Sequence, residues 1–337
     1  MKDKYRDPTL SPYRPRDIMA DMQKNYGVEV KYKKAWKSKE KVLELLYGTD
    51  EESFANLPSL KFMIEQTNPG SSLDVVTTVR GRYFKNFFMS LSAWKRGWKW
   101  CRPVIIVDGT FLKNYFKGTL FSACAMDANE QIFPLAFGVG DSETTSGWVY
   151  FLMKLREAIG EREHQVIVSD RNKGIKRAVE KVFTHSEHGY CMFHLLQNVR
   201  NKFKELTKQA KWKFFGAANA YTVVEWEKFM VMLDEENPAI RAYLLDVGPA
   251  KWARSHFSEK RYSIMTSNNA ESLNAVLLKA REFPISKIVD FLRERMTKWF
   301  FERRQRATET VTHLSVKAHL KLVGYIAEAS GMQVLIQ

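Results

Sequence analysis

The sequence predicts an α/β protein: a mixed β-sheet flanked by helices, with a small helical region ahead of it and an all-helical insertion late in the chain. Two observations carry this. The runs Pro103–Val107 and Gln165–Ser169 are rich in β-branched residues and read as buried strands, and each leads into an aspartate, Asp108 and Asp170. Around them, apolar residues recur now at period two and now at helical spacing, so strands and helices interleave.

The elements follow in order. Residues 1 to about 13, with Pro8 and Pro12, read as an irregular lead-in. A helix is expected from Arg16 to near Gly27, with Ile18, Met19 and Met22 on one side. Val28–Tyr32 alternates briefly, and a second helix from about Ser38 carries Val42, Leu45 and Leu46 to Gly48. Two lysine-rich helices with a short link resemble a helix-turn-helix-like module; two packed helices with solvated lysines fit equally. Leu57–Gln66 gives a short helix, and the turn signal Asn68-Pro69-Gly70-Ser71-Ser72 marks a boundary, so residues 1–70 form the N-terminal region.

Leu73–Val79 and Tyr83–Ser90 then alternate as strands, and Ala93–Trp100 gives a helix and turn. After the first acidic strand, 103–108, Thr119–Met126 reads as a strand whose hairpin turn, Asp127-Ala128-Asn129-Glu130, leads into another, Gln131–Val139. Ser146 is the expected N-cap of a helix carrying Trp148, Phe151, Leu152, Leu155 and Ile159. The second acidic strand, 165–170, is followed by a helix, Gly174–Phe183, then a short strand, His188–Phe193, passing into a helix at His194. Three strands in a meander, then helix, strand, helix, strand and helix, is the order of the ribonuclease H-like fold, with a mixed five-stranded sheet. In that architecture the first and fourth strands lie side by side, which makes Asp108 and Asp170 neighbours.

Residues 71–210 therefore form the core, and the helical, aromatic segment 211–262 (Trp212, Phe214, Trp226, Trp252 among others) is an insertion whose aromatics at helical spacing read as core. Residues 263–337 complete the core. Ser267–Leu277 opens a helix with Leu273, Val276, Leu277 and Ala280 as its buried stripe, and Glu271 lies beside that stripe near the amino end. Asn268 with Glu271 three residues later also has the spacing of a capping box, just as aspartates after strands often cap the next helix. A long amphipathic helix starts after Pro284, with Ile285, Ile288, Val289, Leu292, Met296, Trp299 and Phe300 on its apolar side.

Lys and Arg outnumber Asp and Glu by 53 to 38, a formal charge of +15, which points to an anionic partner, most often nucleic acid. Three cysteines (Cys101, Cys124, Cys191) argue against a disulfide scaffold and for a reducing compartment such as cytosol or nucleus. The first residues lack the apolar core of a signal peptide, and no stretch approaches a membrane span, so no membrane partner is expected.

A series of motifs carries a family resemblance. Val107-Asp108-Gly109-Thr110-Phe111-Leu112-Lys113, Asp141-Ser142-Glu143-Thr144-Thr145-Ser146-Gly147-Trp148, Ser169-Asp170-Arg171-Asn172-Lys173-Gly174-Ile175, Cys191-Met192-Phe193-His194 and Asn268-Asn269-Ala270-Glu271-Ser272-Leu273-Asn274 occur in that order over roughly residues 100 to 300. The set resembles the core of the Mutator-like element (MULE) transposases of plants. The resemblance implies a D-D-E triad of Asp108, Asp170 and Glu271 in a ribonuclease H-like core. These residues would hold two Mg²⁺ or Mn²⁺ ions for DNA strand cleavage and strand transfer at element ends. It implies a nuclear protein whose partner is DNA, at terminal inverted repeats or target sites. Lys113, Arg171 and Lys173 in the motifs, with Arg303 and Arg304 on the long helix, are the candidates for contacting backbone phosphates. That helix could also serve a homodimer, since end-joining needs paired subunits. Cys191 and His194 have the spacing of half a zinc site, but the sequence offers no second pair of comparable spacing; the pair reads as structural or supporting, and zinc is not expected. Full-length relatives often add zinc-binding modules before and after the core, which three cysteines cannot supply. The alternative function is therefore a domesticated, transposase-derived nuclear DNA-binding regulator without catalysis, by analogy with far-red impaired response-type proteins.

Overall fold

The computed structural model describes residues 4–5, 13–78, 83–114, 116–204, 206–278 and 280–332. Apart from Lys4, Tyr5 and Tyr13, the expected lead-in lies outside them, as does Val79 of the first expected strand.

Three helices come first: α1 (Pro15–Tyr26), α2 (Tyr32–Tyr47) and α3 (Asp50–Thr67). Glycine ends α1 because Gly27 takes a left-handed φ of 65°. The brief alternation at 28–32 forms no strand, and α2 starts six residues earlier than its apolar pattern suggests. Thr49 caps α3 with its hydroxyl on Glu52 N while Glu52 returns to Thr49 N, a capping box that extends the helix ahead of Leu57.

The sheet has seven strands rather than five. They are β1 (Ser72–Thr77), β2 (Phe84–Ser90), β3 (Val104–Phe111), β4 (Thr119–Met126), β5 (Ile132–Gly140), β6 (Val166–Ser169) and β7 (Glu187–Tyr190), in the order β1-β2-β5-β4-β3-β6-β7. The two strands expected at 73–90 join the same sheet, because β2 pairs antiparallel with the otherwise free edge of β5 from Asn86↔Gly140 to Met89↔Phe137. β3 is central: antiparallel to β4 on one side and parallel to β6 on the other. Burial on both faces accounts for its unbroken Val104–Val107 run.

Helix α4 (Ser92–Trp98) lies between β2 and β3; α5 (Thr145–Ile159) links β5 to β6, and α6 (Lys173–Val182) links β6 to β7. Thr144, not Ser146, caps α5: its hydroxyl accepts from Gly147 N at 3.2 Å. After β7 the chain becomes helical: α7 (Met192–Phe203), α8 (Lys208–Asn219), α9 (Val223–Glu236), α10 (Pro238–Val247) and the short α11 (Pro249–Trp252). These build a core of their own around Leu195, Phe214, Trp226, Met230 and Trp252, separate from the sheet's core. Aromatic spacing here means core for Phe214, Trp226 and Trp252, while Trp212 and Tyr221 are exposed. The chain then returns to the sheet with α12 (Asn268–Val276) against β3 and β4, and the long α13 (Ile285–Thr308) against α3. The expected stripe of α13 is buried from Ile285 to Met296, with Trp299 and Phe300 partly so. A last helix, α14 (Val316–Ala329), has no buried residue. Among the described residues no helix is long and apolar enough to cross a membrane.

Candidate functional site

The register of β3 against β6 brings the two aspartates together. Ile106 pairs with Val168 in parallel, so Asp108 and Asp170, each two residues further on, fall side by side on the same face. Neighbouring strands lie about 4.8 Å apart. Asp108 is not a strand terminus, because β3 continues to Phe111 through its pairing with β4. It is therefore held in the ladder to β4, opposite Ser122, while the ladder to β6 ends two residues earlier at Ile106↔Val168. Asp170 sits just beyond β6, where its Oδ1 accepts from Asn172 N at 2.9 Å. That turn leads into α6, whose N-cap is Asn172 itself.

Helix α12 delivers the third carboxylate. Its N-cap is Ser267, without a side-chain capping bond, so the capping-box geometry open from the sequence does not form. Glu271 is half-exposed and its Oε1 instead accepts from Ser267 Oγ at 3.2 Å and lies 3.8 Å from His194 Nε2. Three residues on, Asn274 donates from Nδ2 to Asp108 Oδ2 at 2.7 Å and accepts from Ser122 Oγ at 3.3 Å. Glu271 and Asn274 face the site together because i and i+3 share a helix face.

Electrostatics show that the acidic groups share one space. Burial and then the charge of Asp170 push the Asp108 carboxyl up from 3.8 to about 7; His194 pulls the other way, and Glu271 adds a weaker push than that pull. None of the described Lys or Arg side chains forms an ion pair with Asp108, Asp170 or Glu271. A fourth carboxylate, Glu143, stands at the rim: it accepts from Trp148 Nε1 at 3.4 Å and Asn172 Nδ2 at 3.2 Å. Burial and then Asp170 raise its pKa as well. Gly109 lies against this rim: a Cβ at that position would approach the Trp148 ring tightly, at 3.2 Å, and would stand in ordinary contact with the Glu143 carboxyl carbon at 3.4 Å.

Cys191 and His194 complete the constellation. Cys191 is the buried N-cap of α7, and His194 stands one turn along on the same face. The Cys191 sulfur, a His194 ring nitrogen and a Glu271 oxygen all lie within 4.8 Å of one another. The hydrogen bond to Cys191 raises the His194 imidazole to about 9, with help from the charges of Glu271 and Asp170 and against its own burial. Burial pushes the Cys191 thiol up, but hydrogen bonds from His194 and Ser267 outweigh it and leave the thiol below its ordinary value.

The basic candidates are placed unevenly. Lys113, Lys173 and Arg304 are exposed. Arg171 donates to Tyr243 Oη at 2.6 Å, tying the site's rim to α10. Arg303 is engaged within the fold: it donates to Ile132 O at 2.7 Å and lies over the Trp299 ring. Three residues that organise the site, Ser267, Asn274 and Glu143, were not singled out from sequence. Asn274 could have been, from its i+3 spacing to Glu271; Ser267 acts through contacts that only the fold creates.

Comparison with known proteins finds similarity over the centre of the chain. The model of the MULE transposase domain matches residues 104–198, as the motif series leads one to expect. Among curated proteins, the Arabidopsis thaliana Protein FAR1-RELATED SEQUENCE 6 is 22% identical over 47% of this chain and 22% of its own length. Protein FAR1-RELATED SEQUENCE 4 from the same plant is 20% identical over 48% of this chain and 22% of its length. A Chaetomium globosum PKS-NRPS hybrid synthetase, cheA, is 30% identical over 30% of this chain but only 2% of its own length. The chain thus covers less than a quarter of each of these relatives.

Proposed function

We propose that this MULE-type domain is the core of a DDE transposase, or of a protein derived from one, that cleaves and joins DNA strands with divalent metal ions held by Asp108, Asp170 and Glu271. The strand order β5-β4-β3-β6-β7 supports a ribonuclease H-like core, with β1 and β2 added at one edge. The observation that carries the reading is Asp108. A carboxyl pushed to about 7 by burial and by two nearby carboxylates, with no described Lys or Arg paired to it, is a site short of positive charge. Hard oxygen donors in that number suit Mg²⁺ or Mn²⁺. When bound, the ions supply activation of the attacking water or 3′-hydroxyl and neutralise charge at phosphorus.

The chain's own residues do the rest. The sheet fixes Asp108, and Asn274 sets the plane of its carboxylate. Asp170 is held by its turn. Glu271, on a helix and half-exposed, is free to adjust as substrate enters. His194, carrying a proton at neutral pH, places positive charge beside Glu271 at the open side of the site. Exposed Lys113, Lys173 and Arg304 and the overall charge of +15 would draw DNA toward a centre that otherwise repels it. Such a protein acts in the nucleus, and a homodimer would pair two element ends.

The test is Mn²⁺-dependent nicking and strand transfer on DNA bearing candidate terminal inverted repeats, with Asp108→Asn as control. Wild-type activity that the substitution abolishes supports the enzyme. Folded protein that binds DNA but shows no metal-dependent cleavage supports the second reading, a transposase-derived regulator, which the similarity to two FAR1-RELATED SEQUENCE proteins favours.

A further inference from the structure

We infer that Cys191, His194 and Glu271 form a binding site for a soft divalent metal ion, Zn²⁺ being the natural occupant, distinct in chemistry from the Asp108–Asp170 pair and sharing Glu271 with it. The inference rests on the proposed role of Glu271 only for its consequence, not for the site itself. The sequence offers Cys191 and His194 as half of a zinc set, and no second cysteine–histidine pair. The fold supplies the missing donor as a carboxylate, brought from 77 to 80 residues further along the chain on α12.

Three features make this a built site rather than a chance cluster. First, donor type: thiolate, imidazole and carboxylate with an open fourth position is an ordinary zinc ligand set, and a thiolate with a carboxylate cancels the ion's charge. Second, distance: donors around a tetrahedral ion with bonds of about 2.0–2.3 Å lie ~3.5 Å apart. Here all three are within 4.8 Å of one another, and the half-exposed Glu271 can turn inward to close the gap. Third, support: Ser267, wholly buried, touches all three groups. Its N–H donates to Cys191 Sγ at 3.1 Å, and its hydroxyl meets His194 Nδ1 at 3.2 Å and Glu271 Oε1 at 3.2 Å. A hydrogen bond at Nδ1 fixes the ring and leaves Nε2, which faces Glu271, as the donor; metal-binding histidines are held this way. Ligand access runs through His194 and Glu271, which are 37% and 46% exposed, although Cys191 itself is buried.

Zn²⁺ seated here would draw Glu271 away from Asp108 and Asp170, so zinc would act as an inhibitor of Mg²⁺-dependent cleavage.

The experiment uses Co²⁺ as a spectroscopic stand-in on the full chain, without DNA. Wild-type protein is expected to develop the sulfur-to-cobalt charge-transfer band and the intense visible bands of a tetrahedral site, and Zn²⁺ is expected to erase them by displacement. Cys191→Ser should remove the charge-transfer band. His194→Gln should weaken Co²⁺ binding, and Ser267→Ala should weaken it about tenfold or more by loosening the ligands. Asp108→Asn should leave the band in place, which separates this site from the carboxylate pair. Should Cys191→Ser fail to fold, X-ray absorption of the zinc-loaded wild type must show one sulfur among the ligands. No charge-transfer band in wild type, a band that survives Cys191→Ser, or a zinc environment without sulfur overturns the inference. Protein that shows the band with Co²⁺ yet, freed of Co²⁺ and supplied with Mn²⁺, nicks no DNA keeps this inference and loses the transposase reading; protein that nicks DNA with Mn²⁺ but never shows the band does the reverse.

Discussion

Replacing Asp108 by Asn should stabilise the metal-free protein at alkaline pH. In the fold this carboxyl titrates near 7 instead of its ordinary 3.8, because burial and then the charges of Asp170 and Glu271 oppose its ionisation. A folded-state pKa raised above the unfolded one means the ionised form is disfavoured by folding. The penalty is absent below about pH 4, grows as pH rises, and levels off above about 7. Each pH unit between the two values costs about 1.4 kcal/mol, so ionised Asp108 costs ~4 kcal/mol at pH 8. Asparagine has the same shape, keeps an oxygen to accept from Asn274 Nδ2, and carries no charge. Most of the penalty should return, roughly 3 kcal/mol, or a rise in Tm of about 6 °C at ~2 °C per kcal/mol for a chain of this size. The assay is thermal unfolding with EDTA between pH 4 and 8. The gain should be largest at pH 8 and vanish near pH 4, and Mn²⁺ should raise the Tm of the wild type but not of the variant. An Asp108→Asn protein that is less stable than wild type at pH 8, or a difference that ignores pH, is incompatible with three carboxylates sharing this site.

Three other outcomes are expected. Burial, with Lys251, Arg261 and Lys176 nearby, holds the His188 imidazole down to about 3, and its Nε2 meets Ser169 Oγ at 2.8 Å; the fold keeps it neutral while the unfolded chain takes a proton below about 6.5. Stability should therefore fall by about 2 kcal/mol between pH 7 and pH 5 on this account, and His188→Gln should flatten that part of the Tm profile. Glu130, held down to about 2 by Lys317 and Lys321, then by Arg102, ties the otherwise unburied α14 to the turn between β4 and β5. Glu130→Gln should speed hydrogen exchange across 316–329 several-fold while β3 and β6 stay protected. Trp252 stacks on Phe214 with centroids 5.8 Å apart and donates from Nε1 to Leu244 O at 3.1 Å. Trp252→Ala should cost about 3–5 kcal/mol within the helical insertion, seen as lost near-ultraviolet circular dichroism and a lowered Tm.

Elements with a local cause are legible along the chain. Val104–Val107 and Val166–Val168 are strands because β-branched residues suit a sheet buried on both faces, and the stripe of α13 is visible at helical spacing. The motif series singled out Asp108, Asp170, Glu271, Cys191 and His194; the family-model match over residues 104–198 spans four of these positions and ends before Glu271. Other outcomes were decided only when distant segments met. The pairing of β2 with β5 made a seven-stranded sheet, since an edge strand accepts whatever partner the rest of the chain presents. Parallel register between β3 and β6, not the aspartates' positions in the chain, set Asp108 beside Asp170. The return of α12 across the sheet gave Glu271 a serine and a histidine for neighbours instead of a capping role, and gave Asp108 its bond from Asn274. Burial and mutual repulsion, the properties that mark Asp108 as a metal-seeking carboxylate, belong to the assembled site, because they depend on charges 62 to 163 residues away that no local pattern can bring near.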